Sequence, residues 1–201
     1  MLGEPIRDRL AERREATRRE IVDAAWELAR EKGLADWTLR DVAKRIGMQA
    51  PSLYSHFASK NAIFDAMFGL AWLEYESVEL ESWQGLPKAP RERVLATSMM
   101  FFDFAAADLA RYQLMNQRSV PGFEPSPESF APSVRVVERA VDDLASLGIT
   151  DRGDVEILFA LIGGLVDQQH ANDPGGHSRR ELLARAIGMW ADGVGLAAEK
   201  S

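Results

Sequence analysis

The chain has 201 residues, an ordinary apolar fraction of 46% and no cysteine. That is enough to bury a core in one large or two small domains, and it excludes disulfide frameworks and thiolate metal sites. The net charge of −7 argues at first against a polyanionic partner, yet residues 1–60 carry +2 and the remainder −9. The opening residues lack the apolar run of a signal peptide. The longest apolar stretch, Val155 to Val166, falls short of the roughly 20 residues that span a membrane. A cytoplasmic setting with no membrane partner is the expectation.

In chain order, Arg7, Arg9, Arg13, Arg14, Arg18 and Arg19 outnumber Asp8, Glu12 and Glu15 in the first segment. Such a run is either a solvated helix face or a surface for a nucleic-acid backbone. Ile21, Ala24, Ala25, Leu28 and Ala29 predict a first amphipathic helix, from near Arg7 to Gly33. Thr38, with Asp41 three residues on, caps a second helix striped by Leu39, Val42, Ala43 and Ile46 and closed at Gly47. Gln49 to Ser55 makes a third short helix, because Pro51 fits a first turn and Ala50, Leu53 and Phe57 face one way. Ser59 caps a long fourth helix along Ile63, Phe64, Met67, Phe68, Ala71, Trp72, Tyr75 and Val78, broken at Gln84-Gly85-Leu86-Pro87.

Val94 to Met115 reads as one helix with a kink near Ala107-Asp108. Residues 119–133 carry Pro121, Gly122, Pro125, Pro127 and Pro132, which is loop chemistry over an unusual length. Val134 to Leu147, Asp151 to His170 and Ser178 to Ala197 are three further helices. No strand-like alternation or internal repeat interrupts the pattern. The fold class is therefore all-α.

A helix of about two turns, a tight turn at Gly47 and a second short helix is the spacing at which one helix braces across DNA and the next enters the major groove. The run Thr38 to Phe57, followed by Ser59-Lys60, resembles the DNA-binding signature of the TetR family, and the resemblance reaches back to Ile21 and forward to Phe68. It implies a helix-turn-helix domain over residues 15–75, with its motif at 38–57. Through a long fourth helix it implies a helical ligand-binding and dimerisation domain over 76–201.

Residue by residue, the resemblance implies that Gln49, Ala50, Pro51 and Ser52 lie near base edges, where Gln suits adenine and Ala or Pro a thymine methyl. Tyr54, His56 and Lys60 would hold phosphates, and Thr38 and Arg40 would meet the opposite backbone. Ser55, also among the expected contacts, stands where the family often has a second aromatic, and Met48-Gln49 replaces a commoner Val-Ser pair. His56 as a surface histidine beside Phe57, and Lys60 as an ordinary exposed lysine, are the plainer alternatives.

The family also implies dimerisation through the last two helices. Leu158, Ile162 and Leu165 sit on a helix apolar on nearly every side, and Ile187, Trp190 and Val194 lie along one face of the last helix, which fits a four-helix interface. An intramolecular core is the competing account. Met99, Phe102, Tyr112, Met115, Phe123 and Gln168 are candidates for an effector pocket, from aromatic and sulfur-rich stock that also serves plain cores. Gln169 and His170 could add polar groups there or stand at a dimer rim. His170, His177, Asp167 and Asp173 match no standard metal-ligand spacing. No nucleophile-base set, paired buried carboxylates or phosphate-binding glycine loop supports an enzyme. The expected function is a homodimeric repressor of a palindromic duplex operator, released by a small apolar or amphipathic molecule, with no cofactor or metal. An enzyme or ligand carrier built on a helical bundle is the rival, and a dimeric helical module for protein partners is a third possibility.

Overall fold

The computed structural model describes residues 6–196, with side chains from Arg9 onward. The side chains of Arg7 and Asp8 and the expected end of the last helix at Ala197 lie outside the described residues. Among those described, every regular element is helical. They are α1 (Ile6–Lys32), α2 (Leu39–Arg45), α3 (Ala50–Leu53), α4 (Lys60–Ser82), α5 (Pro90–Ala106), α6 (Leu109–Asn116), α7 (Pro127–Ser146), α8 (Arg152–Asn172) and α9 (Ser178–Gly193). A single 3-10 turn, Trp83–Gly85, follows α4 where the Gly-Leu-Pro break is expected.

The chain divides into two compact units. The first holds the residues up to Ala71 together with Ala110–Phe130, and the second holds Trp72–Leu109 and the residues from Ala131. In the first, α1 packs on α2 and α2 on α3. Ile21, Ala25, Leu28, Val42, Leu53, Phe57, Ile63, Phe64 and Met67 are buried there almost completely. Val42 and Ala43 are the inner stripe of α2, while Leu39 and Ile46 are only half-buried.

Beyond the helix-turn-helix, two elements depart from the sequence expectation. The proposed single helix from Val94 to Met115 is two, starting earlier at Pro90 and broken at 107–108. The proline-rich stretch is a loop only as far as Ser126, because α7 begins at Pro127. Proline at the first helical position loses an N–H that has no partner there anyway. The Asp65 carboxylate on α4 holds this start. It accepts from Ser126 N–H (2.6 Å), Ser126 Oγ (2.8 Å) and Ser129 Oγ (2.9 Å). The approach is close: a Cβ on Gly69 of α4 would lie 3.3 Å from the Ser129 Cα. Phe123 from the loop and Phe130 from α7 then cover Phe64 and Phe68, with ring centres 5.7 and 6.1 Å apart for Phe64–Phe123 and Phe68–Phe130.

In the second unit α5 packs against both α8 and α9, which pack on each other. Trp190 Nε1 donates to the Asp154 carbonyl at 3.0 Å. The buried Gln169 closes the turn between α8 and α9, donating to the Asp173 carbonyl and accepting from Arg179 N–H (2.9 Å). Arg139 bridges Glu79 (2.6 Å) and Glu76 (3.1 Å), and Arg135 bonds Glu76 at 2.6 Å. The Arg135 hydrogen bond holds Glu76 below the usual carboxylate range, whereas burial pushes Glu79 up against the pull of Arg139.

Candidate nucleic-acid interface

α2 is built as a brace. Thr38 N–H and hydroxyl both donate to Asp41 Oδ2 at 2.8 Å, and Asp41 N–H returns a bond to the Thr38 hydroxyl at 3.2 Å. This reciprocal box satisfies donors that a helix start leaves unpaired. The Thr38 bonds, aided by Lys32, lower the Asp41 pKa. At the other end Arg45 reaches across to Glu31 (2.6 Å) and Glu27 (3.0 Å) of α1. Its hydrogen bond lowers the Glu31 pKa.

The turn into α3 needs a backbone that few side chains tolerate. Gly47 takes φ +67, in the left-handed region. Gln49 then stands as the N-cap of α3 with no side-chain capping bond, and Pro51 lies in the first turn. α3 is shorter than the expected Gln49–Ser55. It ends at Leu53, after which the Ser55 and His56 N–H groups bond the Ser52 and Leu53 carbonyls in a tight turn. Leu53 and Phe57 anchor this piece in the core. Gln49, Pro51, Ser52, Tyr54 and Ser55 are exposed and Ala50 is half-buried, so these six expected contact residues come together on one short element and its exit. Tyr54 is 57% exposed, a large apolar surface for a free side chain. Arg40 is exposed on α2.

Two expected phosphate contacts are engaged within the chain, and a third is partly enclosed. Thr38 is occupied by its capping box. Lys60 turns inward, donating to the Ala35 carbonyl at 2.8 Å, with its ammonium 4.4 Å from the Trp37 ring centre and 5.2 Å from that of Phe64. Burial lowers its pKa. His56 is half-buried, and its Nδ1 is enclosed with no hydrogen-bond partner.

Sequence reasoning missed the two arginines that hold this turn. Arg18 of α1 lies 4.1 Å over the Phe57 ring and donates to the His56 carbonyl, and Arg14 Nη2 donates to the Ser55 carbonyl at 3.2 Å. Their signal was present. Arg14, Arg18, Ile21, Ala25 and Leu28 follow one another at i, i+4, i+7, i+11 and i+14, a single stripe that runs from surface into core.

The pocket and interface candidates fare differently. Met99, Phe102 and Gln168 fall in the second unit and Tyr112, Met115 and Phe123 in the first. Phe123 is committed to Phe64 and Phe68. Gln168 is exposed, its side-chain oxygen accepting from Asn172 Nδ2 at 2.7 Å. Of the interface candidates, Leu158, Ile162, Ile187 and Trp190 are buried in the chain's own core, while Leu165 and Val194 are half-buried. α8, expected to be apolar on nearly every side, buries one stripe within the chain and leaves Ile157 57% exposed. Burial of one stripe satisfied the helix, and the other stripe is left open. His170 Nε2 lies 3.0 Å from the Ala105 carbonyl.

Comparison with known proteins agrees with this geometry. The profile of bacterial regulatory proteins of the tetR family matches residues 21–67. The class D tetracycline repressor of Escherichia coli is 35% identical over 71 residues, which are 33% of each chain. The match therefore spans about a third of that relative's length. An uncharacterised HTH-type transcriptional regulator of Haemophilus influenzae is 26% identical over 94% of this chain and 96% of its own. The fold is shared with the transcriptional regulator FadR from Bacillus subtilis in complex with stearoyl-CoA, at a TM-score of 0.63, 18% identity, and 87% and 97% coverage. Residues 21–67 thus carry the pattern of the tetR family of bacterial regulatory proteins, and the chain shares its helical fold with the FadR structure.

Proposed function

We propose that the chain is a homodimeric transcriptional repressor that reads a palindromic DNA operator and is released by a small apolar or amphipathic effector. The observation that carries the reading is the short α3, fixed from behind by Leu53, Phe57 and Arg18, which offers Gln49, Pro51, Ser52 and Tyr54 together to solvent. Gln49, unbonded at its cap position, can bond adenine in two places, and Pro51 can touch a thymine methyl. Tyr54 and Ser55 supply hydroxyls for phosphate, and Arg40 a charge. Lys60 reaches phosphate only by leaving Ala35, and His56 only by turning out of its partly enclosed site.

Two such elements from a symmetric dimer would read half-sites about one turn of DNA apart. The second copy is placed on the open stripes of α8 and α9. Ile157, Leu161, Gly164 and Gln168 on one helix and Leu182, Ala186, Met189 and Gly193 on the other each follow the i, i+4, i+7, i+11 spacing. Ile157, Leu182 and Met189 are 57%, 42% and 66% exposed. Small residues among them let helices approach. For the effector, the second unit offers Met99 and Phe102 on α5 and the Tyr75 ring, which packs on Phe101 and Phe104 of the same helix at 5.4 and 5.1 Å. Burial raises the Tyr75 pKa, so its hydroxyl keeps its proton and can donate to a guest. The FadR relative in complex with stearoyl-CoA supports an amphipathic effector.

Selection of bound sequences from random duplex DNA, at a stated near-physiological salt, tests the reading. Enrichment of an inverted repeat with half-sites about one turn apart supports it. A folded, dimeric protein that enriches nothing, with or without amphipathic additives, overturns it.

A further inference from the structure

The DNA contact extends beyond the helix-turn-helix. We infer that Arg14 of α1 is a further phosphate-contacting residue, pre-positioned beside the recognition element by the Ser55 carbonyl. The inference rests on the DNA-binding reading above and names a residue which that reading does not include.

Arg14 and Arg18 bond adjacent carbonyls at the exit of α3, yet their surroundings differ. Arg18 is half-buried, with its guanidinium on the Phe57 ring and the His56 carbonyl. Its plane is covered, and it serves as the pin of the turn. Arg14 is exposed and gives one nitrogen, Nη2, to Ser55. The other guanidinium donors stay open to solvent at the edge where Tyr54 and Ser55 stand. A bond to a backbone carbonyl costs the guanidinium none of its charge, and it holds a long, rotamer-rich side chain in one place. Ordering it in advance removes part of the entropy that binding would otherwise cost.

The helix register adds charge complementarity. At about 100° per residue, Leu10, Ala11, Thr17 and Arg18 share the arc centred on Arg14. Glu12, Glu15 and Glu20 fall on the rest of the circumference. A phosphate approaching the recognition turn from the α1 side thus meets arginine without meeting a carboxylate.

The test compares wild type with Arg14→Gln, Arg14→Lys, Arg18→Gln and Tyr54→Ala, each titrated on the selected operator and on an unrelated duplex across a salt series. Arg14→Gln is expected to weaken both duplexes by the same factor and to flatten the slope of log affinity against log salt by about 0.9. Its thermal midpoint and base preference should stay as in wild type. Arg14→Lys should restore the slope, and Arg18→Gln should lower the thermal midpoint. A wild-type slope in Arg14→Gln, with or without lost stability, places the guanidinium off the DNA and overturns the inference while leaving the DNA-binding reading intact. Wild type that binds no duplex overturns the reading itself, and Tyr54→Ala that binds as well as wild type overturns the Tyr54 contact within it.

Discussion

Lys60 keeps its ammonium over two aromatic rings and on a backbone carbonyl, and so holds the segment between α1 and α2 against the start of α4. A cation over aromatic faces is worth roughly 0.5–2 kcal/mol, and the hydrogen bond adds about 1 kcal/mol. Lys60→Met, which keeps the stem and removes the charge, should therefore lower stability by about 1–2 kcal/mol in a urea titration. A variant as stable as its parent would show that the ammonium spends its time in water. Asp41 carries a pH signature. Its folded pKa is lowered, first by the Thr38 hydroxyl and then by the Thr38 N–H. The stability it contributes is therefore whole above the ordinary value of 3.8 and is lost as pH falls through the lowered one. Stability measured against pH should show Asp41→Asn below its parent by a constant gap at neutral pH, closing only below 3.8. Thr38→Ala should cost about 1 kcal/mol through the lost cap. An unchanged acid limb would remove Asp41 from the brace.

Among the elements, the start of α7 is held by a cluster of polar contacts. Asp65 accepts three hydrogen bonds there, and bonds to a charged acceptor are worth about 1.5–3 kcal/mol. Asp65→Ala should cost about 2–3 kcal/mol and speed amide exchange across residues 117–130. Unaltered exchange there would mean that the aromatic cover alone holds the segment. This element also shows what periodicity could and could not convey. The helices α1, α2, α4, α8 and α9 follow apolar spacing and caps visible in the chain, such as Thr38 with Asp41, and their positions were legible from it. Pro127 and Pro132 read as loop because proline breaks helices in general, and only the long-range bond from Asp65 decides otherwise. The proposed contact surface was legible where a family signature exists, at Gln49 to Tyr54. The Lys60 rotamer and the two arginine bonds depend on residues 25 to 41 positions away. No local pattern records such partners. The two stripes of α8 could not be told apart for a related reason: both are apolar, and only packing shows which of them α5 and α9 consume.

For the whole molecule, the open stripes of α8 and α9 set the oligomeric state in the proposed dimer. Ile157→Glu with Met189→Glu leaves the buried stripe of each helix untouched, so the fold should survive. Light scattering should then report 22.3 kDa in place of twice that mass. Helical circular dichroism unchanged beside a persisting dimer would move the interface elsewhere.

The division of the chain has a practical consequence. The first unit is assembled from two separate stretches, so the backbone passes between the units three times, after Ala71, after Leu109 and after Phe130. No single cut releases it. A fragment ending near residue 75 would keep α3 and its arginine pins but lose Phe123, Phe130 and Ser126, leaving Phe64 and Phe68 bare and Asp65 without its donors. A reading head transplanted from this protein onto another regulator would have to carry residues 110–130 with it, as a second graft.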